Sequence, residues 1–419
     1  MKKISFLFFL LAIISVIGFS TLAINRWRTA QYTPKRISTE ILTPRLTPTT
    51  PPSSTTYKNT EQHTLPSRSW LSVAETLVKD KKISPPEAAR LYAYVSTVYY
   101  EILRTTQDQE LANAATKSIM LRMYPANTID TYIEKVFGEY FNPNAYQYLY
   151  TNPTSPSLNL TTSTLSFLPS ANRNALEWLE KIFIRERTDG FYNSSTVRIP
   201  NNSWRPLEPL QTPHAGSWQR WLMASTTDFA VPSPPASGSA AYQEESKKLA
   251  STTNNRTSEQ EQAIQLWLGE KNQITLSGQW QDILWEAFQK TKLDADQSPD
   301  LTFAHRQKIL AQSLADTYSI VWQIKFTYWR ASPAMTIPNL KILAPTHSPS
   351  YVSEDAAVAA TAQIILSTWY PERAHEFEKH AVTIRDATIQ SGKQFELDAN
   401  AGFALGKKIG VAVEASTQK

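Results

Sequence analysis

The chain has 419 residues, a formal net charge of +5 and no cysteine. The absence of cysteine excludes disulfides, thiol nucleophiles and cysteine-ligated iron–sulfur clusters. Positive charge is concentrated in residues 1–66, where eight lysines and arginines face two glutamates, whereas the other 353 residues carry 34 basic and 35 acidic side chains. The larger part of the chain lacks the basic surface of a nucleic-acid-binding protein, so we predict no nucleic-acid partner.

The N-terminal stretch has the pattern of a membrane segment. Lys2 and Lys3 precede residues 4–24, which are uncharged and long enough to span a bilayer at about 1.5 Å per residue. We predict that residues 1–24 are a signal anchor or a cleaved signal peptide, with residues 4–24 contacting the membrane. Residues 25–66, rich in threonine, proline and serine, are predicted to form a disordered linker. The predicted location is the cell envelope, membrane-anchored with the domain extracytoplasmic, or secreted.

Residues 67–419 have the pattern of one helical domain. Apolar residues recur at helical spacing, and no period-two pattern is sustained. We predict an all-α bundle of about a dozen helices, at residues 70–78, 88–103, 108–123, 128–141, 171–187, 240–252, 258–268, 280–291, 301–329, 348–369 (a loop that becomes a helix), 373–389 and 399–413. Residues 188–239 interrupt the series with seven prolines and three tryptophans. We interpret them as a cover that wraps over the bundle.

One helix start stands out near the end of the chain. Ser353 is placed as an N-cap, and Glu354 and Asp355 follow in the first turn, where the helix dipole favours negative charge. The alanines at 356, 357, 359 and 360 make a thin helix that its neighbours can approach closely. Such a helix is typical of the centre of a bundle.

The same stretch resembles a known signature. Pro349-Ser350-Tyr351-Val352-Ser353 is similar to the Pro-Ser-x-x-Ser-Gly-His segment of the vanadium-dependent haloperoxidases and type-2 phosphatidic-acid phosphatases. Other stretches resemble the bacterial haloperoxidase-like branch in the same order, namely residues 83–103, 204–207, 218–221, 257–262, 328–337 and 398–410. The resemblance implies an all-α fold in which a helix N-terminus and a histidine face a bound phosphate or vanadate.

The residues that the resemblance places at this anion site are degenerate. Gln323 falls at the family's lysine, Arg330 at its first arginine, and Ser353-Glu354-Asp355 at Ser-Gly-His; Thr388 falls at the second arginine and Gln394 at the second histidine. Lys325 is two residues from Gln323, about 200° round a helix, so we do not expect it to reach the site. These positions hold one cation against two carboxylates. We therefore name no catalytic residue and predict no cofactor, although vanadate is the family cofactor.

Three further residues are possible auxiliaries of this site: Arg385, one turn before Thr388, together with Lys393 and His347. We expect Arg330 to form an internal ion pair with Glu354 or Asp355 in the volume where the family's anion lies. No metal site is predicted. His375 and His380 are five residues apart, which places them about 140° apart on a helix instead of on one face.

Three classes of function remain open from the sequence. The first is a non-catalytic relative tethered to the envelope and used for binding or scaffolding, in which the old site satisfies itself. The second is an enzyme with repurposed chemistry, in which Glu354 and Asp355 bind a divalent cation or act as acid and base. The third is a residual oxyanion binder that uses Arg330, Arg385 and the helix start at Ser353. The protein partner or small ligand is not identified by the sequence.

Overall fold

A computed structural model describes residues 65–142, 146, 149, 170–201, 203–205, 210–223, 229–269, 274–293, 297–344 and 346–417. These residues form helices and contain no strand. The helices are α1 Pro66–Lys81, α2 Pro85–Thr106, α3 Gln109–Met123, α4 Ala126–Phe137, α5 Ser170–Thr188, α6 Ala240–Asn254, α7 Ser258–Trp267, α8 Thr275–Gln289, α9 Pro299–Tyr328, α10 Glu354–Trp369, α11 Ala374–Gln390 and α12 Glu396–Thr417, with a single turn at Pro333–Thr336 between α9 and α10. The predicted all-α architecture is confirmed.

The two helices that matter most for the site have clear start and stop signals. The Ser298 hydroxyl caps α9 by accepting from the Leu301 N–H, and proline occupies the first turn. Helix α9 ends at Tyr328, and Trp329 follows as the C-cap with a left-handed φ of 51°. The Ser353 hydroxyl caps α10 by accepting from the Ala356 N–H at 3.2 Å, as predicted. The end of α9 and the start of α10 are therefore fixed positions.

Helix α10 lies at the centre of the larger of two apolar clusters. Its alanines are fully buried, and α9, α11 and α12 all pack against it. A Cβ added at Gly402 or Gly406 of α12 would overlap the backbone carbonyl of Ser353 or of Ala357. The glycines therefore let α12 lie directly on the first turns of α10. The second cluster is built mainly from α1 to α5, and α9 contacts both clusters through α2 and α10.

The described part of the proline-rich segment packs on α9 as a cover. The buried Asp316 carboxylate accepts three consecutive backbone N–H groups, from Trp221 at 2.7 Å, Leu222 at 2.7 Å and Met223 at 2.8 Å. A Cβ at Gly216 would lie 2.5 Å from the Gln323 backbone nitrogen, so the cover touches the helix backbone itself. This contact agrees with the interpretation of a structural cover.

Several predictions fall outside the described residues. The predicted signal segment at 1–24 and nearly all of the predicted linker at 25–66 are among them. Within the part of the chain that the structure describes, no helix has the length and apolar character needed to cross a membrane. Helix boundaries differ from prediction at some ends: α1 begins at Pro66 instead of residue 70, and α4 ends at Phe137 instead of residue 141.

Candidate functional site

Several of the residues that the resemblance singled out lie in one buried group of charges, which we call the site cluster. Its members come from five segments of the chain: Lys325 near the end of α9 and Arg330 after it, Ser350 in the following loop, Glu354 and Asp355 in the first turn of α10, Lys393, Gln394 and Asp398 around the start of α12, and Glu245 on α6. The site cluster therefore contains three cations and four carboxylates, whereas the positions predicted from the sequence contain one cation and two carboxylates.

The Glu354 carboxylate is the centre of the cluster. One oxygen lies 2.7 Å from Lys325 Nζ and accepts from Gln394 Nε2 at 2.8 Å. The other oxygen lies 2.9 Å from Lys393 Nζ. Only 4% of the residue surface is exposed. Burial alone would raise the pKa of Glu354, but Lys325 and Lys393 hold that pKa well below its ordinary value.

The two lysines are committed to this carboxylate and its neighbours. Lys325 is fully buried and also donates to the carbonyls of Pro349 at 2.5 Å and Ser350 at 3.3 Å. Burial lowers the pKa of Lys325, and Glu354 opposes that shift. Lys393 pairs with Asp355 as well as with Glu354. Burial disfavours its charge, yet the two carboxylates raise the pKa of Lys393 above its ordinary value.

Arg330 forms the second half of the cluster. Its guanidinium pairs with Asp398 and, at 2.6 Å, with Glu245. The other Asp398 oxygen accepts from the Ser350 hydroxyl at 2.5 Å. The other Glu245 oxygen accepts from the Leu397 N–H at 3.0 Å. Burial raises the pKa of Asp398 to about 6, although Arg330 and Ser350 oppose the shift. Two carboxylates therefore hold Arg330 in place.

The prediction for Gln323 and Lys325 was wrong. Gln323 is exposed, and its side-chain oxygen accepts from Arg220 of the cover at 2.8 Å. Lys325 is the residue that enters the site. Gln323 and Lys325 do face different sides of α9, as predicted from their spacing. Counting seven residues back from Arg330, however, selected Gln323 for the site instead of Lys325. The helix ends at Tyr328 and the left-handed Trp329 breaks the periodicity on which that count depended.

The predicted ion pair of Arg330 has different partners from those expected. Arg330 does form a buried ion pair, but with Asp398 and Glu245 instead of Glu354 or Asp355. Asp355 pairs with Lys393, and burial together with Glu354 raises the pKa of Asp355 while Lys393 opposes the shift. The sequence underestimated the cations because it excluded Lys325 and treated Lys393 only as an auxiliary.

The remaining predicted positions divide between the cluster and its surroundings. Gln394 enters the cluster through its contact with Glu354, whereas Thr388 is buried nearby and donates its hydroxyl to the Arg385 carbonyl at 2.7 Å. Arg385 is partly exposed and pairs with its neighbour Asp386 at 2.7 Å. His347 is exposed. Of the three possible auxiliaries, only Lys393 contacts the cluster.

Sequence reasoning missed Glu245 and the roles of Asp398 and Ser350. Asp398 and Ser350 lie within stretches that carried the resemblance. The sequence therefore indicated that they are near the site, but it did not indicate which residues they pair with. Glu245 lies on α6, about 85 residues before Arg330, in a helix with no distinguishing pattern. Among the described residues, no group of three His, Asp or Glu side chains is arranged to hold a metal ion.

Comparison with known proteins gives a consistent answer for the fold. No protein-family profile matches the sequence, and no curated protein matches it. Solved structures do match. The first bacterial vanadium-dependent iodoperoxidase superposes with a TM-score of 0.65 at 16% identity, covering 85% of this chain and 98% of that one. The holo and apo forms of a bacterial vanadium-dependent chloroperoxidase give TM-scores of 0.57 and 0.58, each at 10% identity over 80% of this chain and over 92% and 94% of theirs.

Proposed function

We propose that this chain, whose fold is vanadium haloperoxidase-like, has lost vanadate and phosphate chemistry and serves as a binding or scaffold module at the cell envelope. One observation carries the proposal. Each cation of the site cluster is paired with carboxylates of the same chain, and the central pair of Lys325 and Glu354 is almost completely buried. A catalytic anion site would instead present cations that a substrate or cofactor could reach.

The site residues do not fit vanadate as they stand. The Glu354 carboxylate already lies between the two lysine ammonium groups and the Gln394 amide. An incoming oxyanion would have to displace that carboxylate and would meet Asp355 beside it. Like charges in a poorly solvated volume repel strongly, so these residues disfavour vanadate and phosphate at this position.

The envelope location is part of the proposal and is supported by sequence alone. Residues 4–24 are uncharged and follow two lysines, which is the pattern of an anchor or a signal peptide. With the threonine- and proline-rich residues 25–66 as a spacer, such an anchor would hold the helical domain away from the membrane surface.

The alternative is a repurposed or residual enzyme that uses Arg330 with Glu354 and Asp355. One observation favours it, because a buried carboxyl with a raised pKa is typical of acid–base catalysts and Asp355 has that property. Against it, Asp355 is 6% exposed and paired with Lys393. Arg330 pairs with Asp398 and Glu245, so the three named residues do not act on a common point.

Calorimetric titration of the full-length protein, in detergent micelles, with orthovanadate tests the proposal. Binding is expected to be undetectable at millimolar vanadate, and halide oxidation and phosphate-ester hydrolysis are expected at the level of buffer alone. Micromolar vanadate binding, or either activity, would overturn the proposal. Activity that needs an added divalent cation and is lost on Asp355→Asn substitution would favour the repurposed enzyme.

A further inference from the structure

We propose that Glu354 is an intramolecular ligand, whose carboxylate occupies a binding site for small anions formed by Lys325, Lys393 and Gln394. The inference deepens the proposed function and rests on its closed site. It assigns one residue as the occupant and three as the receptor. The chemical class that would replace Glu354 is a small monocarboxylate or another small oxyanion.

The arrangement of donors carries the inference. Three N–H donors from two separate segments of the chain meet one carboxylate, at 2.7, 2.8 and 2.9 Å. Lys325 belongs to α9, whereas Lys393 and Gln394 belong to the connection between α11 and α12. Each also has a partner other than Glu354: Lys325 donates to the carbonyls of Pro349 and Ser350, Gln394 donates to the carbonyl of Ser350 at 3.3 Å, and Lys393 pairs with Asp355. The residues that form the anion site would therefore keep some of their contacts if the Glu354 carboxylate were removed.

The position of the occupant on its own helix supports the assignment. Glu354 is the first residue of α10, and the Ser353 hydroxyl already caps the Ala356 N–H. The carboxylate is therefore not needed as the cap of that helix. The carboxylate instead contacts donor side chains from other segments of the chain, as a bound ligand would. The partial positive charge of the helix N-terminus adds to the attraction for any anion at this point.

Charge and burial explain why removal of the carboxylate should create a measurable site. Without Glu354, the fully buried Lys325 would keep two carbonyl partners but lose its anion. A buried cation without its partner is costly, so a soluble anion of the right size gains the interaction that Glu354 made. In the native chain this attraction is satisfied internally, and external anions are excluded.

The test is anion-dependent stability of the full-length Glu354→Ala variant in detergent micelles. The variant removes the carboxylate and opens its volume. Sodium acetate is titrated during urea or thermal unfolding, with sodium chloride at equal ionic strength as the salt control. Acetate is expected to stabilise Glu354→Ala, raising the ratio of folded to unfolded protein about elevenfold at ten times the dissociation constant and in proportion to acetate concentration beyond that. Inorganic phosphate, tested in parallel, reports whether a tetrahedral anion also fits.

Two matched controls separate this site from general anion effects. Glu354→Gln fills the same volume with a neutral amide, so acetate should not stabilise it. Glu75→Ala removes another buried carboxylate, but its partner Arg68 keeps Asp282 at 2.7 Å and needs no replacement anion. Equal acetate stabilisation of all three variants, or none in Glu354→Ala, would overturn the inference.

The outcome stays decisive if Glu354→Ala is unfolded in acetate-free buffer. The inference then predicts that acetate restores its helical circular dichroism while equimolar chloride does not, and a variant that stays unfolded in acetate contradicts it. Failure here is distinguishable from failure of the proposed function. Vanadate binding by the wild type overturns the proposed function, whereas an acetate-insensitive Glu354→Ala overturns only the role of Glu354.

Discussion

Two buried ion networks in this molecule have central groups of opposite charge. Around Arg90 on α2, a cation is surrounded by acceptors: its guanidinium lies 2.6 Å from Asp189 and 3.3 Å from Glu186, and it stacks on the Phe191 ring at 4.3 Å. Around Glu354, a carboxylate is surrounded by donors. Both networks are internally paired. Only the second, however, has the form of a receptor for an anion.

Burial of charge does not by itself identify an anion-binding site. The Arg90 network joins α2 to the end of α5 and is a structural connection between elements. The Glu354 network lies at a helix start, where loops and helix ends from distant parts of the sequence converge. The sign of the central group and the kind of element that surrounds it distinguish the two cases.

The largest expected effect comes from removing the central cation of the Arg90 network. Arg90→Met takes away the cation with which buried Asp189 pairs, so we expect a loss of about 4 kcal/mol in the free energy of unfolding. Lys325→Met should cost somewhat less, about 3 kcal/mol, because Glu354 keeps Lys393 and Gln394. Urea unfolding of both variants measures the difference.

The control for these two variants is Lys290→Met. Lys290 pairs with Glu286 on the surface and its side chain is 63% exposed, so the change should stay below about 1 kcal/mol. A loss for Lys325→Met as small as that of the control would contradict the view that Lys325 is held in a closed, buried pair.

Steric disturbance of the α10 start should affect one network and spare the other. A Cβ at Gly402 would overlap the Ser353 carbonyl, so Gly402→Ala must push α12 away from α10. We expect a cost of about 2 kcal/mol, in the range of overpacked cores. Hydrogen exchange of the full-length protein should show loss of protection around residues 353–357 and unchanged protection in α2. Uniform loss in both regions would mean that the two networks are not independent.

The pH dependence of stability should distinguish the site cluster through Asp398, which faces Arg330, Ser350 and Glu245. Burial raises the pKa of Asp398 from 3.8 to about 6, so the folded state binds this proton more tightly than the unfolded state does. The free energy of unfolding should therefore gain about 1 kcal/mol from this group as the pH falls from 7 to 5. The gain levels off below the unfolded pKa.

Comparison of wild type with Asp398→Asn isolates this contribution. The buried Asp316, whose pKa burial also raises to about 6, adds a similar gain in both proteins and cancels in the difference. Thermal unfolding at pH 5, 6 and 7 supplies the measurement. An identical pH slope in wild type and Asp398→Asn would show that Asp398 titrates normally in the folded protein.

The smallest effect is expected at the position that the resemblance assigned to lysine. Gln323 is exposed and contacts Arg220 of the cover, so Gln323→Lys should change stability by less than about 0.5 kcal/mol. It should also leave orthovanadate binding undetectable, because the new ammonium would lie outside the cluster. Vanadate binding by Gln323→Lys would mean that the register of α9 differs from the one described.

The fold could be predicted from the sequence, whereas the composition of the site could be predicted only in part. Helical periodicity, the cap at Ser353 and the small residues of α10 and α12 are local signals, and the structure agrees with them. The site depends on how a helix ends. The left-handed Trp329 lies between Arg330 and the end of α9, so helical spacing counted back from Arg330 does not identify Lys325 as the residue that faces the loop at Ser350.

Long-range pairing explains the rest of what was missed. Glu245 reaches Arg330 from a helix whose sequence contains nothing unusual, and Asp398 pairs with Arg330 across a separation of 68 residues. Which carboxylate pairs with which cation is set by packing among α6, α10 and α12. No spacing rule within one segment contains that information.

If Glu354 closes the site against anions, as proposed, a crystal structure of the protein grown with millimolar orthovanadate should show this. We expect the Glu354 carboxylate within hydrogen-bond distance of Lys325 and Lys393, with no vanadate density between the two lysines. Vanadate between those lysines, with Glu354 turned away from them, would mean that Glu354 does not close the site.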